Sequence, residues 1–177
     1  MLKLEFPNET HKEIWEALKQ KRSNFEIAWE SKNIINHETF EDFLKFVEQD
    51  INWRPWLVPA SIFLFIKDNE IIGNLQIRHH IEHPNLKEMW WHIWYAIVPW
   101  QRGKWYGKEQ LHLGILEAKK LWLKEVMISC LSENIASAKV IESQWWKFIS
   151  EIVLDNPPPD KIHDIGKKLR RYLFTLN

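Results

Sequence analysis

The chain has 177 residues, and its 24 basic and 24 acidic side chains give a formal net charge of zero. This balance argues against broad electrostatic binding to nucleic acid or to an anionic membrane, because both need a basic surplus on one face. The sequence has no apolar run long enough to span a bilayer and no signal-peptide pattern, so we expect one cytoplasmic domain, residues 1–177.

The first half of the chain predicts a strand, two helices and a meander of three strands. Thr10 with Glu13, and later Thr39 with Asp42, have the spacing of a helix start in which threonine is the N-cap. The Asp-Asn pair at 68–69 favours a tight turn and therefore a β-hairpin. The predicted elements are a strand at 2–6, helices at 9–21 and 39–51, a hairpin at 61–80 and a strand at 90–98.

The second half of the chain predicts two helices and three strands. Leu111, Ile115, Ala118 and Trp122 keep helical spacing and form the predicted inward stripe of the longer helix. The single cysteine, Cys130, lies in an apolar strand and is predicted to be buried in a protein of a reducing compartment. The predicted elements are a helix at about 104–121, a strand at 124–131, a helix at 134–144 capped by Ser132 or Asn134, and strands at 146–154 and 167–176. This order indicates a mixed α/β domain around one largely antiparallel sheet.

The stretch HIWYAIVPWQRGKWYGKEQL, which begins at residue 92, combines a strand, a short polar loop and an amphipathic helix. The first turn of a helix presents unpaired N–H groups and a partial positive charge, and both attract phosphate. Gly103 and Gly107 stand where a phosphate loop needs small residues, but Trp105 lies between them. The alternative interpretation is an ordinary turn from strand to helix with solvated basic side chains.

Three segments resemble the landmarks of the GNAT superfamily of N-acetyltransferases. The loop resembles the pyrophosphate signature Gln/Arg-x-x-Gly-x-Gly/Ala, with tryptophan at the first signature glycine. The strand before it resembles the segment whose backbone pairs with the pantetheine arm of coenzyme A. A later stretch, NIASAKVIES, resembles an Asn-x-x-Ala/Ser helix start. The residues that match these coenzyme-binding landmarks are Ile97, Val98, Arg102, Gly103, Lys104, Trp105, Tyr106, Gly107, Asn134 and Ser137.

The resemblance covers nearly the whole chain and implies an α/β (α+β) GNAT-type fold, with a mostly antiparallel sheet flanked by about four helices. It implies an enzyme that transfers an acetyl group from acetyl-CoA to a primary amine of a small molecule or peptide, as a monomer or homodimer. The alternative is a GNAT-fold protein that binds acyl-CoA or is catalytically inactive. The chain looks most like a group of predicted acetyltransferases expected to have GGHIGYG and GKGYG where this chain has WWHIWYA and GKWYG.

The resemblance leaves the catalytic side chains open. Many members carry a tyrosine seven residues after the asparagine, which protonates the leaving thiolate, and that position here is Ile141. Tyr106 is a candidate in its place, and Tyr95 also lies nearby in sequence. Glu88 and His92 are candidates for the general base. The histidines near the central strands lack the spacing of a shared metal site, so we expect no metal.

Direct transfer from a thioester to an amine needs a deprotonated amine, good positioning and a donor for the developing oxyanion. A backbone N–H group of residues 97–98 is the candidate oxyanion donor.

Tryptophan is unusually common in this chain and glycine unusually rare, with 12 tryptophans against 5 glycines. Average usage of about 7% would give roughly a dozen glycines. Three explanations compete: genuine tryptophans in a degenerate fold, an aromatic surface that binds a sugar, peptide or base, or a UGA codon that means glycine in the source and was translated as tryptophan. Trp15 lies in a helix interior and is predicted to be genuine. The suspected positions are Trp56, Trp90, Trp91, Trp94, Trp105, Trp122, Trp145 and Trp146.

Overall fold

The computed structural model describes residues 1–23, 32–52, 58–83, 91–144, 146–155, 157 and 159–176. The strands are β1 (Leu2–Glu5), β2 (Ala60–Lys67), β3 (Glu70–Arg78), β4 (Ile93–Ile97), β5 (Glu125–Leu131), β6 (Lys147–Val153) and β7 (Lys168–Thr175). The helices are α1 (Lys12–Ser23), α2 (Lys32–Ile35), α3 (Phe40–Ile51), α4 (Tyr106–Lys120) and α5 (Ile135–Glu142). The predicted order of strands and helices is confirmed, with the one-turn α2 added. None of the helices in these ranges is long and apolar enough to cross a membrane.

The strands form two sheets, not the single sheet that the sequence predicts. One sheet has the order β1-β2-β3-β4 and the other β5-β7-β6, with antiparallel pairing throughout. His92, just before β4, donates its backbone N–H to the carbonyl of Met127 in β5 at 2.7 Å. Within the described residues, no further ladder joins β4 to β5. The single-sheet prediction was wrong because a helix connects these two strands, and no local signal specifies whether strands connected in this way pair.

Helices cover both faces of the first sheet, which explains why β2 and β3 are almost continuously apolar. On one face, α1 and α3 bury Trp15, Phe40 and Phe43 against the sheet. The Trp15 ring lies 5.5 Å from that of Phe40 and stacks on that of Phe43 at 6.1 Å. On the other face, α4 packs Leu111 and Ile115 in a second core that it shares with the second sheet. The helix α4 therefore holds the two sheets together.

One predicted helix start is confirmed and the other is wrong. Thr39 Oγ1 accepts the backbone N–H of Asp42 at 3.1 Å and caps α3, as predicted. At the first helix, the cap is Asn8 and not Thr10, because Asn8 Oδ1 accepts the Thr10 N–H at 3.0 Å. A 3₁₀ turn over Glu9–His11 precedes α1. Because of this extra turn, the hydrogen-bonded segment begins earlier in the chain than the pattern predicts. Asparagine is also at least as good a cap as threonine.

The helix α4 buries Leu111, Ile115 and Ala118, as its periodicity predicts. Trp122 does not belong to this inward stripe, because it lies beyond the end of α4 and its side chain is 91% exposed. The periodicity of a helix ends with the helix, so extending the stripe to Trp122 was wrong. Two other predictions in this half are confirmed: Cys130 is buried, and Asn134 is the cap of α5.

Gly73 of β3 tolerates no side chain, and this provides a test of the packing between β3 and β4. A β-carbon at this position would lie 2.4 Å from the carbonyl oxygen of Ala96 in β4. A backbone carbonyl moves only with its strand, so we expect Gly73→Ala to lower the free energy of unfolding by about 3 kcal/mol. Chemical denaturation measures this, and Gly107→Ala, whose β-carbon meets ordinary contacts of 3.5 Å or more, is the control. An unchanged midpoint in Gly73→Ala would contradict the packing.

Candidate functional site

Side chains from three elements meet where β4 and β5 separate. The hydroxyl groups of Tyr95 in β4 and Ser137 in α5 are 3.1 Å apart and hydrogen-bonded. The thiol of Cys130 in β5 interacts with both residues. Burial raises the pKa of Tyr95 to about 12 and that of Cys130 to about 11, so both groups are protonated at neutral pH. This part of the gap therefore presents neutral hydrogen-bonding groups.

The loop before α4 leaves the start of that helix open to solvent. Trp105 is the N-cap residue and makes no side-chain capping hydrogen bond, whereas α3 and α5 are capped by Thr39 and Asn134. Gly103 and Trp105 both have a left-handed backbone conformation, with φ of 79° and 64°. The first N–H groups of a helix have no partner within the helix, so Tyr106 and Gly107 can offer theirs to an anion, while the Lys108 N–H donates to the Trp105 carbonyl at 3.1 Å.

Basic side chains surround this open helix start. Arg102 Nε donates to the carbonyl oxygen of Ile97 at 3.0 Å, and Lys104 Nζ donates to Gln101 Oε1 at 2.8 Å. Both basic residues are exposed. The predicted loop residues Arg102 to Gly107 thus lie together at one end of α4, as a phosphate-binding loop requires. The exposed Trp105 is the only residue of this loop whose size opposes a ligand there.

The two predicted strand residues before the loop point in different directions. The backbone N–H of Val98 donates to the carbonyl oxygen of Ile72 in β3 at 3.0 Å, so it is not available as an oxyanion donor. Backbone groups alternate in direction along a strand, so the N–H of Ile97 faces the opposite edge, towards the gap. Of the two predicted oxyanion donors, the N–H group of Ile97 is therefore the one that remains a candidate.

The predicted helix-start residues Asn134 and Ser137 lie together at the first turn of α5. Asn134 Oδ1 accepts the backbone N–H of Ser137 at 3.1 Å, which is an ordinary N-cap. The Ser137 hydroxyl then reaches Tyr95 across the gap. Asn134 therefore determines the position of Ser137, and Ser137 forms part of the wall of the gap.

The structure places two of the three predicted catalytic side chains, Tyr106 and His92, in separate surroundings. Glu88 lies outside the described residues. Tyr106 packs beside the first core, and the Lys67 ammonium lies 5.7 Å from the centre of its ring. The ring of His92 is buried and its Nδ1 accepts the backbone N–H of Met127 at 2.9 Å. This hydrogen bond leaves the proton on Nε2, which favours a structural role for His92 over that of a base.

Tyr95 is the tyrosine whose hydroxyl reaches the gap, and no local pattern in the sequence distinguishes it from Tyr106. The chain has three tyrosines. Tyr172 donates its hydroxyl to Glu142 at 2.9 Å, and Tyr106 lies beside Lys67. Ile141, at the position where a catalytic tyrosine was considered, is fully buried in the second core. The contact between Tyr95 and Ser137 joins residues 42 positions apart, so only the fold reveals it.

The buried His92 should make the stability of the fold depend on pH. Burial, and then the positive charge of Arg78, lower the pKa of His92 from 6.5 to about 4. The folded protein therefore resists protonation, and the stabilisation by neutral His92 is present above pH 6.5 and is lost as the pH falls towards 4. We expect this residue to remove on the order of 3 kcal/mol from the free energy of unfolding between pH 7 and pH 4.

The variant His92→Asn isolates this contribution in denaturation curves recorded across that range. Its amide oxygen can still accept the N–H of Met127, but it does not titrate. The pH dependence should therefore be weaker in His92→Asn and unchanged in His112→Asn, which alters an exposed histidine of α4. Equal pH slopes in all three proteins would refute the structural role of His92.

Three solved structures with the same fold are distant from this chain in sequence. The chain aligns over 99% of its length with 92% of the microcin C7 self-immunity acetyltransferase MccE, solved with acetyl-CoA and AMP, at a TM-score of 0.63 and 18% identity. It aligns over 99% of its length with 94% of RimL, a ribosomal L7/L12 alpha-N-protein acetyltransferase solved with coenzyme A, at a TM-score of 0.65 and 17% identity. A GNAT-family acetyltransferase from Streptococcus pneumoniae aligns with it over the whole of both chains, at a TM-score of 0.64 and 10% identity.

No protein-family model and no curated protein match the chain. The structural likeness nevertheless extends over the full set of strands and helices, and the neighbours have a coenzyme in two of the three structures described. It bears out the fold class that the landmark residues predict. The chain has the fold of the GNAT-family acetyltransferases.

Proposed function

We propose that this protein is an N-acetyltransferase that moves the acetyl group of acetyl-CoA to a primary amine. One observation carries the proposal: in a GNAT fold, the uncapped start of α4 opens beside the gap between β4 and β5. A helix start of this kind suits a diphosphate, and a gap with neutral donors suits the amide arm of a coenzyme. The helix start would hold the diphosphate and the neighbouring gap would hold the amide arm, which is the order of these two parts in acetyl-CoA.

The coenzyme would be held by three groups of residues. The diphosphate would lie at residues 102–107, where Arg102 and Lys104 add positive charge to the helix start. The pantetheine arm would lie along the free edge of β4, and the Ile97 N–H would meet the thioester carbonyl. Asn134 and Ser137 would border the arm from α5. Trp105 is the residue that does not fit, because it puts an exposed indole at the N-cap, where a glycine would let the diphosphate approach the backbone.

The chemistry of transfer needs one proton donor at the sulfur. The amine nitrogen forms a bond to the thioester carbon, the carbon–sulfur bond breaks, and the sulfur takes up a proton while the amine loses one. We assign the donor role to Tyr95, which Ser137 orients through its hydroxyl. Burial raises the pKa of Tyr95 to about 12, so its hydroxyl is protonated at neutral pH and can donate a hydrogen bond to the sulfur. The Ile97 N–H is the oxyanion donor in this scheme.

The acceptor is a primary amine of a small molecule or peptide, and the described residues give no signature for a narrower class. The balanced charge argues against nucleic acid as a partner. A buried thiol at Cys130 suits a reducing compartment, so we propose a cytoplasmic protein made of one domain.

Calorimetric titration with acetyl-CoA, followed by mass spectrometry of a panel of primary amines, tests the proposal. Both the chain with Trp105 and the variant Trp105→Gly are titrated. Binding together with an acetylated amine supports the enzyme. Binding without transfer to any amine favours the alternative of an acyl-CoA-binding protein, and no binding by either chain rejects the proposed function.

Asn134 provides a test of the α5 part of the site. The Asn134→Ala change removes a helix cap and should cost about 1 kcal/mol of stability. If Asn134 and Ser137 border the coenzyme, the same variant should also bind coenzyme A about tenfold more weakly, since about 1.4 kcal/mol corresponds to that factor. Thr39→Ala removes the equivalent cap of α3 and serves as the matched control for titration and thermal melting. Equal coenzyme affinity in both variants would leave Asn134 as a cap alone.

A further inference from the structure

Two tryptophans occupy backbone positions that glycine normally fills. Among the described residues, the non-glycine residues with positive φ are Asp68, Asn69, Trp105 and Trp122. Asp68 and Asn69 form the turn of the β2–β3 hairpin, where short polar side chains tolerate this conformation. A tryptophan has no such tolerance, because its β-carbon crowds the following carbonyl oxygen.

Trp122 lies at the end of α4 in a motif that depends on a left-handed residue. Its N–H donates to the carbonyl oxygen of Lys119 at 3.1 Å, and the next residue, Leu123, donates to Ala118 at 3.4 Å. This pair of hydrogen bonds is the Schellman motif, in which the left-handed position is usually glycine. Trp122 has φ of 60°. The hydrogen bonds are complete, so the backbone requires the conformation whichever side chain is present.

Neither indole gains anything that offsets the unfavourable backbone. Trp105 is 82% exposed and Trp122 is 91% exposed. Trp146, a third suspected position, is buried, but within the described residues its indole N–H has no hydrogen-bond partner. Trp15 is the opposite case, because it is buried, packs on two aromatic rings and donates its N–H to the carbonyl of Ile34.

We propose that residues 105 and 122 are glycine in the protein as its source makes it, because a codon written here as tryptophan is read there as glycine. One reassigned UGA codon explains why tryptophan exceeds and glycine falls short of ordinary usage in the same chain. It also explains why the unfavourable tryptophans stand at left-handed positions, while Trp15 satisfies every requirement of a core tryptophan. Trp146 packs against Phe174 in the second core, and its buried indole N–H, which has no hydrogen-bond partner among the described residues, is the reason to include it in the same set.

An aromatic binding surface does not explain these residues. Trp105 and Trp122 flank opposite ends of α4, a helix of 15 residues and therefore about 22 Å long. Two indoles at this separation do not form one stacking platform. A degenerate fold accounts for the loss of a glycine at the loop, but not for the same exchange in the Schellman motif, which has no part in coenzyme binding.

Mass spectrometry of tryptic peptides from the protein in its native cells tests the inference without any assay of function. The informative peptides are Trp105–Lys108, Leu121–Lys124 and Val140–Lys147, and the control peptide is Glu13–Lys19, which contains Trp15. We expect the first three to have the masses of glycine-containing peptides and the control to retain tryptophan. Tryptophan in Leu121–Lys124 of the native protein, or UGG codons at 105 and 122, would overturn the inference.

A second measurement uses recombinant chains and separates the inference from the proposed function. Trp122→Gly should raise the folding equilibrium constant about tenfold, since it relieves a left-handed β-carbon, whereas Trp15→Gly should lower it. A lower melting temperature for Trp122→Gly would contradict the inference. Failure of acetyl-CoA binding would reject the enzyme and leave this result unchanged.

Discussion

The Trp105→Gly variant is expected to bind coenzyme A about a hundredfold more tightly than the chain with tryptophan at this position. Trp105, the N-cap residue, adds an exposed indole to the open start of α4, where Gly103 already adopts the left-handed backbone of an anion loop. Removing it makes two N–H donors accessible, at about 1–3 kcal/mol for each one otherwise left unpaired against the diphosphate. Calorimetric titration of both proteins measures the difference.

The control for this prediction is Trp122→Gly, which makes the same exchange at the other end of α4. Both variants relieve a left-handed tryptophan, so both should gain stability, but only Trp105→Gly should gain affinity. The gain remains partial, since two suspected tryptophans remain near the site, Trp91 just before β4 and Trp94 within it. A similar gain in both variants would attribute the effect to general stabilisation and remove Trp105 from the site.

Tyr95→Phe is expected to lower kcat about a hundredfold with little change in the KM for acetyl-CoA. The substitution keeps the ring but removes the hydroxyl that we assign as proton donor to the sulfur. Tyr172→Phe is the matched control, because Tyr172 is also buried and its hydroxyl donates to Glu142 and not to Ser137. Steady-state kinetics with an amine found in the acceptor panel compares the three proteins.

A binding measurement distinguishes a proton donor from a residue that only supports the fold. Desulfo-coenzyme A lacks the sulfur, so a hydroxyl that acts on the sulfur should favour coenzyme A over this analogue. This preference should fall in Tyr95→Phe and persist in Tyr172→Phe. If Tyr95→Phe keeps both its kcat and its preference, the sulfur has another donor.

Local signals in the sequence predicted most of the elements. The spacing of Phe40, Phe43 and Val47 determines α3, and the Asp68–Asn69 pair determines the hairpin, because each pattern lies within a few residues. The cap at Asn8 was missed, since a 3₁₀ turn displaced the pattern on which the prediction rested.

The arrangement of the site was harder to predict from the sequence than the elements were. The loop at residues 102–107 could be predicted because its members are contiguous. The meeting of Tyr95 with Ser137 could not, because it depends on how α5 is placed relative to β4, and these elements are separated in the chain by α4 and β5. The direction of the N–H groups of Ile97 and Val98 depends on the register with β3, which no local pattern specifies.

The division of the strands into two sheets has a consequence for how the protein opens. The first core is built by α1, α3 and the strands β2 and β3, while the second is shared by α4, α5 and the second sheet. Between the start of β4 and β5, the described residues His92 and Met127 share two hydrogen bonds, one between backbones and one from the Met127 N–H to the His92 ring. Amide protons of the gap-facing edge of β4 should therefore exchange with solvent through a small local opening, well below the free energy of global unfolding. A ligand that fills the gap would slow this exchange by mass action, and the protection of these amides would report its occupancy residue by residue.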